Sequence, residues 1–489
     1  MSKRFSCSSS ALFFLFFSIS FTGNAAVLQE KLYSLKIKNT NEFDQRYPPS
    51  VVYKKIMSRA LSEPQIRPDT EFGVHGMERP FIHSDRDLEK TSKAFELLSR
   101  AGVDSLRSSE ATWHRVADKN DLPNNFRELD FQLDQAKKYG MTNLFVVGYP
   151  PGKFTVSGNK LSAVNPKYYD LYNKYYSNLF THFKGMGVEY LELGNEVDAG
   201  NIWWIKSTPK EYVKEMCILH KMLHDGNLNI KTVAFAATYS RDSHHGNNYG
   251  GGRAFLQKSF DLGINNCADF YSLHHFSMTD PDSFPNYMHS AMANNNVRKP
   301  LLDTEQLDTS TLNKDKTHPY DIIKIFTRGF FLFNLKRVDY FMAKDYLMGH
   351  QFFTMGLFDI DLNPKPRLLA YASAVDALKG RKLISIKTPA LNTRLESYLL
   401  KNPAGHKFKY TIVIWNNDHN SIGVTGLSGV GAVQRWDLSL KYFSDLSNKI
   451  DVDNKPLIIY CDILPDWYLL DKKNIFKTSS NNIQEIPLP

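Results

Sequence analysis

The chain has 489 residues, of which 42% are hydrophobic and 23% charged, an ordinary composition for a folded globular protein. Its length allows one large domain and a smaller one. The formal net charge is +9, but lysines and arginines are scattered rather than clustered, which argues against nucleic-acid binding. The basic balance favours contact with anionic molecules without specifying one.

The N-terminus has the pattern of a signal peptide. Lys3 and Arg4 precede an apolar run over residues 11–21, and small residues follow up to Ala26. The run is shorter than the roughly 20 residues that span a bilayer. We therefore predict a signal peptide over 1–26 and an exported protein, periplasmic, extracellular or luminal, with no stable membrane insertion after cleavage. An uncleaved anchor is the alternative.

Cysteines are sparse in the mature chain. Cys217, Cys267 and Cys461 are too few for a disulfide framework. One bridge with one free thiol is compatible with the sequence, which leaves the pairing open. Metal-ligand spacings of the CxxC or HExxH kind do not occur, so we predict no metal site.

Residues 27–70 form a mixed segment with one predicted strand, 31–37, and we expect it to be a lead-in that packs on a later domain. From residue 71 to residue 380, eight predicted strands alternate with helices. The predicted strands are 72–75, 103–107, 142–148, 188–193, 232–238, 268–274, 299–305 and 338–343. The predicted helices are 85–102, 126–139, 166–183, 209–224, 253–262, 284–293, 320–335 and 367–378. This alternation predicts a (β/α)8 TIM barrel.

The pattern changes after residue 380. Short predicted strands at 395–400, 409–415, 434–442 and 457–464 are separated by turn residues such as Asn402-Pro403-Ala404-Gly405. We predict an antiparallel β-sandwich domain over 381–478, followed by a polar, flexible tail at 479–489.

Two glutamates stand at the ends of predicted barrel strands. Glu196 follows the fourth strand, and Glu305 ends the seventh. Because the carboxyl ends of all barrel strands converge on one mouth, the two carboxylates should meet there. Such a pair is typical of glycosidases, in which one carboxyl group protonates the leaving oxygen and the other attacks the anomeric carbon.

The stretch Leu193-Gly194-Asn195-Glu196 resembles the Asn-Glu signature of the clan A glycoside hydrolases, the retaining (β/α)8 group. The resemblance implies that Glu196 is the acid/base, that Glu305 is the nucleophile and that Asn195 contacts the 2-hydroxyl of the sugar. Arg107 followed by Trp113, and the turn after the third strand, are similar to the branch of β-xylosidases, α-iduronidases and exopolysaccharide hydrolases. The Gly-Asn-Glu motif fits the heparanase-like and arabinofuranosidase branches equally well.

Polar candidates follow other strands. Arg107, at the second strand, would lower the pKa of Glu305, whereas burial would raise that of Glu196. His274 and His275 end the sixth strand, where the clan commonly has His-x-Tyr. Phe276 then takes the tyrosine position, which removes a hydroxyl group that would contact the nucleophile.

Aromatic candidates for stacking on a sugar ring are Trp113, Trp203 and Tyr346. Of the neighbours Trp203 and Trp204 we expect only one ring to face the sugar, because adjacent tryptophans usually have one ring buried. Tyr346, or an aromatic residue of a loop, would replace the tryptophan that many clan members place at strand eight.

The sequence thus predicts a retaining glycoside hydrolase that cleaves a polysaccharide or glycoconjugate by double displacement and needs no cofactor. The expected binding partner is a carbohydrate, and an acidic carbohydrate is one of the alternatives. The alternative of another class is a catalytically weak carbohydrate-binding protein on the same barrel, which Phe276 keeps open. An endoglucanase-type cleft is the alternative among enzymes. The sugar, its linkage and endo or exo action stay open.

Overall fold

A computed structural model describes residues 46–59, 61, 70–77, 85–199, 203–238, 252–274, 284–307, 318–348, 351–387, 395–417, 421–425, 429–442 and 449–465. The chain divides into two compact units, Met1–Val375 and Asp376–Pro489. The predicted signal peptide, the strand at 31–37 and the tail at 479–489 lie outside the described residues. In the described ranges no helix is both long and apolar enough to cross a membrane.

The first unit contains a closed barrel of eight parallel strands in chain order, which confirms the predicted (β/α)8 fold. Its strands are β1 Glu71–His75, β2 Ser105–Ser108, β3 Thr142–Val147, β4 Val188–Leu193, β5 Lys231–Ala237, β6 Phe270–Leu273, β7 Leu301–Gln306 and β8 Arg337–Phe341. Strands β1 and β8 pair in parallel and close the barrel. A short hairpin, β9 Tyr346–Met348 and β10 Gln351–Phe353, follows β8.

Helices alternate with these strands as the apolar periodicity predicted. Their bounds are α1 Pro49–Met57, α2 Asp85–Ala101, α3 Trp113–Val116, α4 Arg127–Lys138, α5 Tyr169–Phe183, α6 Pro209–Asp225, α7 Gly252–Asp261, α8 Phe284–Asn294, α9 Asp321–Thr327 and α10 Pro366–Leu378. Helix α6 begins with a capping box: the Thr208 side chain accepts from the backbone of Glu211, whose side chain accepts from the Thr208 backbone. The predicted helix 320–335 is in fact α9 followed by a π-helical turn, Arg328–Leu332.

Helix α1 belongs to the predicted lead-in. It lies against α2, where Arg100 donates from Nη1 to the carbonyl oxygens of Met57 at 3.4 Å and Arg59 at 2.7 Å. Arg59 donates in return from Nε to the carbonyl oxygen of Arg100 at 3.0 Å. These bonds fasten the end of α1 to the outer helical layer of the barrel.

The barrel interior is polar near the amino-terminal ends of the strands. Arg337 donates to both oxygens of Asp339 at 2.8 and 2.9 Å, and the Tyr190 hydroxyl donates to Glu71 at 2.6 Å. Gly73 makes room for this group, because a Cβ at that position would lie 1.7 Å from Oδ1 of Asp339. Burial of a charged pair requires such close mutual contacts, since each ion has lost its water.

The second unit is built on an antiparallel sheet of six strands. In sheet order these are β11 Lys382–Lys387, β12 Leu395–Lys401, β13 Tyr410–Asn416, β18 Leu457–Cys461, β15 Val430–Arg435 and β16 Leu440–Tyr442. A separate pair, β14 Ile422–Thr425 with β17 Lys449–Val452, contributes Val452 to one apolar core with residues of the large sheet such as Ile412 and Ile459. This arrangement confirms the predicted C-terminal β-sandwich.

One predicted strand of the second unit is wrong. The segment 434–442 is not continuous but turns between Arg435 and Leu440. Oδ1 of Asp437 accepts hydrogen bonds from the backbone and the hydroxyl of Ser439, and Leu438 has a φ of 65°. An aspartate that binds the backbone two residues ahead favours a turn over an extended strand.

A disulfide joins Cys217 in α6 to Cys267, just before β6, and Cys461 is a buried free thiol. The structure therefore selects one of the pairings that the sequence left open. The bridge closes a loop with a sequence separation of 50 residues. Closure of a loop of this length lowers the entropy of the unfolded chain, which is worth about 4 kcal/mol in the chain-entropy model.

Replacement of both bridged cysteines, Cys217→Ala with Cys267→Ala, should lower the free energy of unfolding by about 4 kcal/mol. Urea denaturation of the mature protein measures the change. Dithiothreitol should destabilise the wild type to a similar extent and leave the double variant unaffected. Equal stability of the oxidised wild type and the double variant would contradict the assigned bridge.

Candidate active site

Glu196 lies in a tight backbone turn just past the end of β4. Gly194 and Glu196 have φ values of 74° and 47°, in the left-handed region. A Cβ at Gly194 would also meet Cγ1 of Val197 at 2.7 Å, so this turn requires glycine. The backbone N–H of Glu196 donates to the carbonyl oxygen of Ala236 at 3.0 Å, which ties the turn to the end of β5.

Glu305 lies near the end of β7, where the pairing with β8 shifts register between Asp303 and Gln306. Both glutamates are 8% exposed, so each carboxyl group reaches the barrel mouth with little surface in water. Carboxyl oxygens of Glu196 and Glu305 and a ring nitrogen of His274 all lie within 4.8 Å of one another. The fold thus brings together the two carboxylates that the sequence singled out.

His274 directly follows β6 and lies between the two glutamates. Its Nδ1 is 3.0 Å from Oε1 of Glu196 and 3.6 Å from Oε2 of Glu305. Burial, together with the positive charge of Arg107, lowers the pKa of His274 to about 3 despite the opposing charge of Glu305. Its ring is therefore neutral at neutral pH, and its Nδ1 hydrogen-bonds Glu196 but lies beyond hydrogen-bond distance of Glu305.

Arg107, in β2, binds the predicted nucleophile directly. Its Nη1 donates to Oε1 of Glu305 at 2.6 Å, and its Nη2 donates to Oδ1 of Asn195 at 2.8 Å. The guanidinium is 1% exposed, so water screens these contacts little. Asn195, whose Oδ1 is taken by Arg107, keeps its amide N–H groups to donate elsewhere.

Glu192, the penultimate residue of β4, is a site residue that the sequence reasoning missed. Its Oε2 accepts from Nε and Nη2 of Arg107 at 2.7 and 2.6 Å, and its side chain has no exposed surface. Its Oε1 accepts from the hydroxyl groups of Ser272 at 2.6 Å and Thr304 at 2.9 Å. Apart from Glu189 and Glu192 the strand is apolar, and a glutamate four positions before Glu196 was the available signal.

His75, at the end of β1, was also missed. Its Nδ1 is 3.1 Å from Oε1 of Glu305 and 3.2 Å from Nη1 of Arg107. The tautomer decides whether this nitrogen donates to the carboxylate or accepts from the guanidinium. A histidine at the last position of the first barrel strand, level with Arg107 in the next, was the signal.

The environment moves the two carboxyl pKa values in opposite directions. Burial raises the pKa of Glu196 well above its ordinary value, and the charges of Glu305 and Asp198 raise it further against the opposing effect of Arg107. Burial opposes ionisation of Glu305 too, but His274, His75 and Arg107 outweigh it and lower its pKa. Because His274 is neutral at neutral pH, the permanent positive charge beside Glu305 is that of Arg107. The site therefore favours the protonated form of Glu196 and the ionised form of Glu305.

Tyr149 supports the turn that carries Asn195. Its hydroxyl accepts from the Asn195 backbone N–H at 2.7 Å and donates to the Asn195 carbonyl oxygen at 2.9 Å. Burial raises the pKa of this hydroxyl, so it stays protonated and able to donate. The Trp203 indole hydrogen-bonds Glu196, and its ring centroid lies 5.9 Å from that of Tyr149.

The remaining candidates fall in different places. Trp203 is partly exposed beside Glu196, whereas Trp204 is fully buried. Trp113 has no exposed surface and stacks on Phe154 and Tyr175 with centroid distances of 5.4 and 5.2 Å, so its predicted contact with substrate is wrong. The ring is carried by α3 and packs against α5 through Tyr175.

Other candidates cannot be placed. His275 and Phe276 lie outside the described residues. The backbone of Tyr346 begins β9, but its side chain also lies outside the described part of the chain.

The three side chains at the mouth also have the donor types of a metal site, since Glu196, His274 and Glu305 each offer one ligand atom within 4.8 Å of the others. The guanidinium of Arg107, 2.6 Å from Glu305, would repel a cation there. The raised pKa of Glu196 opposes metal binding as well, because ligands must be deprotonated. The arrangement suits proton transfer and nucleophilic attack.

No family model and no curated protein sequence matches the chain. Solved structures, in contrast, are similar to it. A family 39 glycoside hydrolase from the gut symbiont Bacteroides cellulosilyticus WH2 is similar with a TM-score of 0.61 and 17% identity, over 82% of this chain and 83% of that one. A conserved exported protein from Bacteroides fragilis has a TM-score of 0.59 and 14% identity, over 82% of this chain and 99% of that one.

A family 39 β-xylosidase from Caulobacter crescentus has a TM-score of 0.55 and 13% identity, over 83% of this chain and 98% of that one. At these identities the likeness establishes the fold alone. It confirms, at the level of fold, the resemblance to clan A glycoside hydrolases that the motif around Glu196 predicted.

The substitution Glu305→Gln should lower the pKa of Glu196, because it removes a negative charge that disfavours ionisation. Carbon-13 NMR titration of glutamate-labelled protein measures the change, with the Glu196 signal identified by its loss in Glu196→Gln. Glu215→Gln is the matched control, since Glu215 is a fully buried glutamate on the outer helix α6. An unchanged pKa of Glu196 in Glu305→Gln would contradict the assigned coupling.

Proposed function

We propose that the chain is a retaining glycoside hydrolase that cleaves a polysaccharide or glycoconjugate through a covalent glycosyl-enzyme. The observation that carries the proposal is the pair of buried glutamates, with oxygens within 4.8 Å and pKa values moved apart. Carboxyl groups about 5–5.5 Å apart are typical of retaining glycosidases, whereas inverting enzymes need roughly 6.5–9.5 Å to admit a water molecule. The shared fold with glycoside hydrolases of family 39 supports the same reaction class.

In the first step the ionised Glu305 attacks the anomeric carbon, and the bond from that carbon to the leaving oxygen breaks. The protonated Glu196 gives its proton to the departing oxygen. Arg107 keeps Glu305 ionised before the attack, since its Nη1 lies 2.6 Å from the carboxylate. The raised pKa of Glu196 keeps its proton available near neutral pH.

In the second step Glu196, now ionised, takes a proton from water, and the hydroxyl oxygen attacks the anomeric carbon. The ester bond to Glu305 breaks, and its electron pair returns to the carboxylate. Both glutamates are then back in their starting states, so no external reactant besides water is consumed. Asn195 is suited to donate to the sugar 2-hydroxyl, because Arg107 already occupies its Oδ1.

We further propose that the protein is exported. The signal-peptide pattern at residues 1–26 supports this. The Cys217–Cys267 bridge is consistent with it, because disulfides persist in oxidising compartments. The similar protein from Bacteroides fragilis is named as exported.

Wild-type mature protein should release reducing sugar from at least one member of a panel of neutral and acidic polysaccharides. Glu305→Gln should abolish release, and Glu196→Gln should slow it by about 10²–10⁴-fold, the usual contribution of general acid catalysis. Proton NMR of the first product should show the anomeric configuration of the substrate. An inverted product would refute the double displacement, and sugar binding without hydrolysis by the wild type would favour the carbohydrate-binding alternative.

The pH dependence of kcat/KM should be bell-shaped. Glu305 must be ionised, so activity falls as the pH drops through its lowered pKa. Glu196 must be protonated in the free enzyme, so activity falls as the pH rises through its raised pKa. Initial rates across a pH series on the best substrate measure both limbs. An alkaline limb at the ordinary glutamate pKa would contradict the assignment of Glu196 as the acid.

A further inference from the structure

We infer that Glu192 is a positioning residue for the reaction, which acts through Arg107 and never touches the sugar. The inference rests on the proposed function for its kinetic consequences, but its geometric basis is independent of the substrate. Glu192 lies inside the barrel with no exposed side-chain surface, on the same strand that leads to Glu196.

Glu192 holds the guanidinium of Arg107 along one edge. Its Oε2 accepts from Nε at 2.7 Å and from Nη2 at 2.6 Å. A guanidinium is planar, so these two contacts fix the plane in which its other N–H groups lie. In this orientation Nη1 donates to Oε1 of Glu305 at 2.6 Å, and Nη2 also donates to Oδ1 of Asn195 at 2.8 Å.

The other oxygen of Glu192 is fixed from the opposite side of the barrel. Its Oε1 accepts from the Ser272 hydroxyl of β6 at 2.6 Å and from the Thr304 hydroxyl of β7 at 2.9 Å. Thr304 directly precedes Glu305. Glu192 therefore connects four strands, β2, β4, β6 and β7, and ties the guanidinium to the backbone that carries the nucleophile.

Charge balance gives Glu192 a second effect. The buried group consists of one cation, Arg107, between two anions, Glu192 and Glu305. If Glu192 were neutral, the whole charge of Arg107 would act on Glu305 and on Glu196. The pKa values of both catalytic carboxyl groups would then fall, and the carboxylate of Glu305 would be a weaker nucleophile because it is better stabilised.

Glu192→Gln and Glu192→Asp separate the two effects. The glutamine keeps the shape and removes the charge, so the alkaline limb of kcat/KM should move to lower pH and kcat should fall by about 10²-fold with KM little changed. The aspartate keeps the charge but is one methylene shorter, so kcat should fall while the alkaline limb stays near the wild-type position. Glu215→Gln, a buried glutamate outside the barrel, should change neither.

A measurement without substrate tests the same inference. Carbon-13 NMR titration should show a lower pKa for Glu196 in Glu192→Gln than in the wild type or in Glu215→Gln. If Glu192→Gln does not fold, Thr304→Val replaces it, since this change removes only the 2.9 Å hydroxyl donor to Oε1. It should lower kcat by about tenfold without loss of the folded state.

An unchanged Glu196 pKa together with an unchanged kcat per folded molecule would overturn the inference and leave Glu192 a purely structural residue. If the wild type hydrolyses no sugar, the proposed function fails. The NMR titration still decides the role of Glu192 in that case, because it needs no reaction.

Discussion

The site depends on one buried guanidinium that lies between two carboxylates. Arg107 contacts Glu192 on one side and Glu305 on the other, and neither Arg107 nor Glu192 has exposed side-chain surface. A buried charge is costly unless partners replace its water, so both contacts offset the cost of burying Arg107. The contact with Glu305 also lowers the pKa of that carboxyl group. One interaction therefore affects both the stability of the barrel and the charge state of the site.

The barrel mouth combines this ion group with strained backbone. Tyr149, Glu196 and Ala236 have φ values of 50°, 47° and 43°, which non-glycine residues adopt at a cost. Hydrogen bonds maintain these conformations: the Tyr149 hydroxyl exchanges two with Asn195, and Glu196 donates to Ala236. The carboxyl group of Glu196 is thereby held against His274 rather than extended into solvent, and burial raises its pKa.

The barrel strands could be predicted from sequence because they are buried on both sides and appear as apolar runs between helices. The strands of the second unit were harder to predict. Strand β11 has no buried residue, so it lacks the apolar signature of a strand, and the turn at Asp437 was hidden within an extended pattern. A short turn such as this one separates two strands without a change in composition, so the pattern of apolar residues alone does not reveal it.

The sequence by itself determined the (β/α)8 fold, the placement of Glu196 and Glu305 at strand ends and the presence of Arg107 at the second strand. These follow from local patterns and from the rule that parallel strands end at one mouth. Only the tertiary structure decided that Glu192 and His75 join the site, that Trp113 does not, and which cysteines pair. Arg107 is 85 residues from Glu192 and 198 from Glu305 along the chain. Contacts over such separations depend on the register in which the barrel closes, which no local pattern carries.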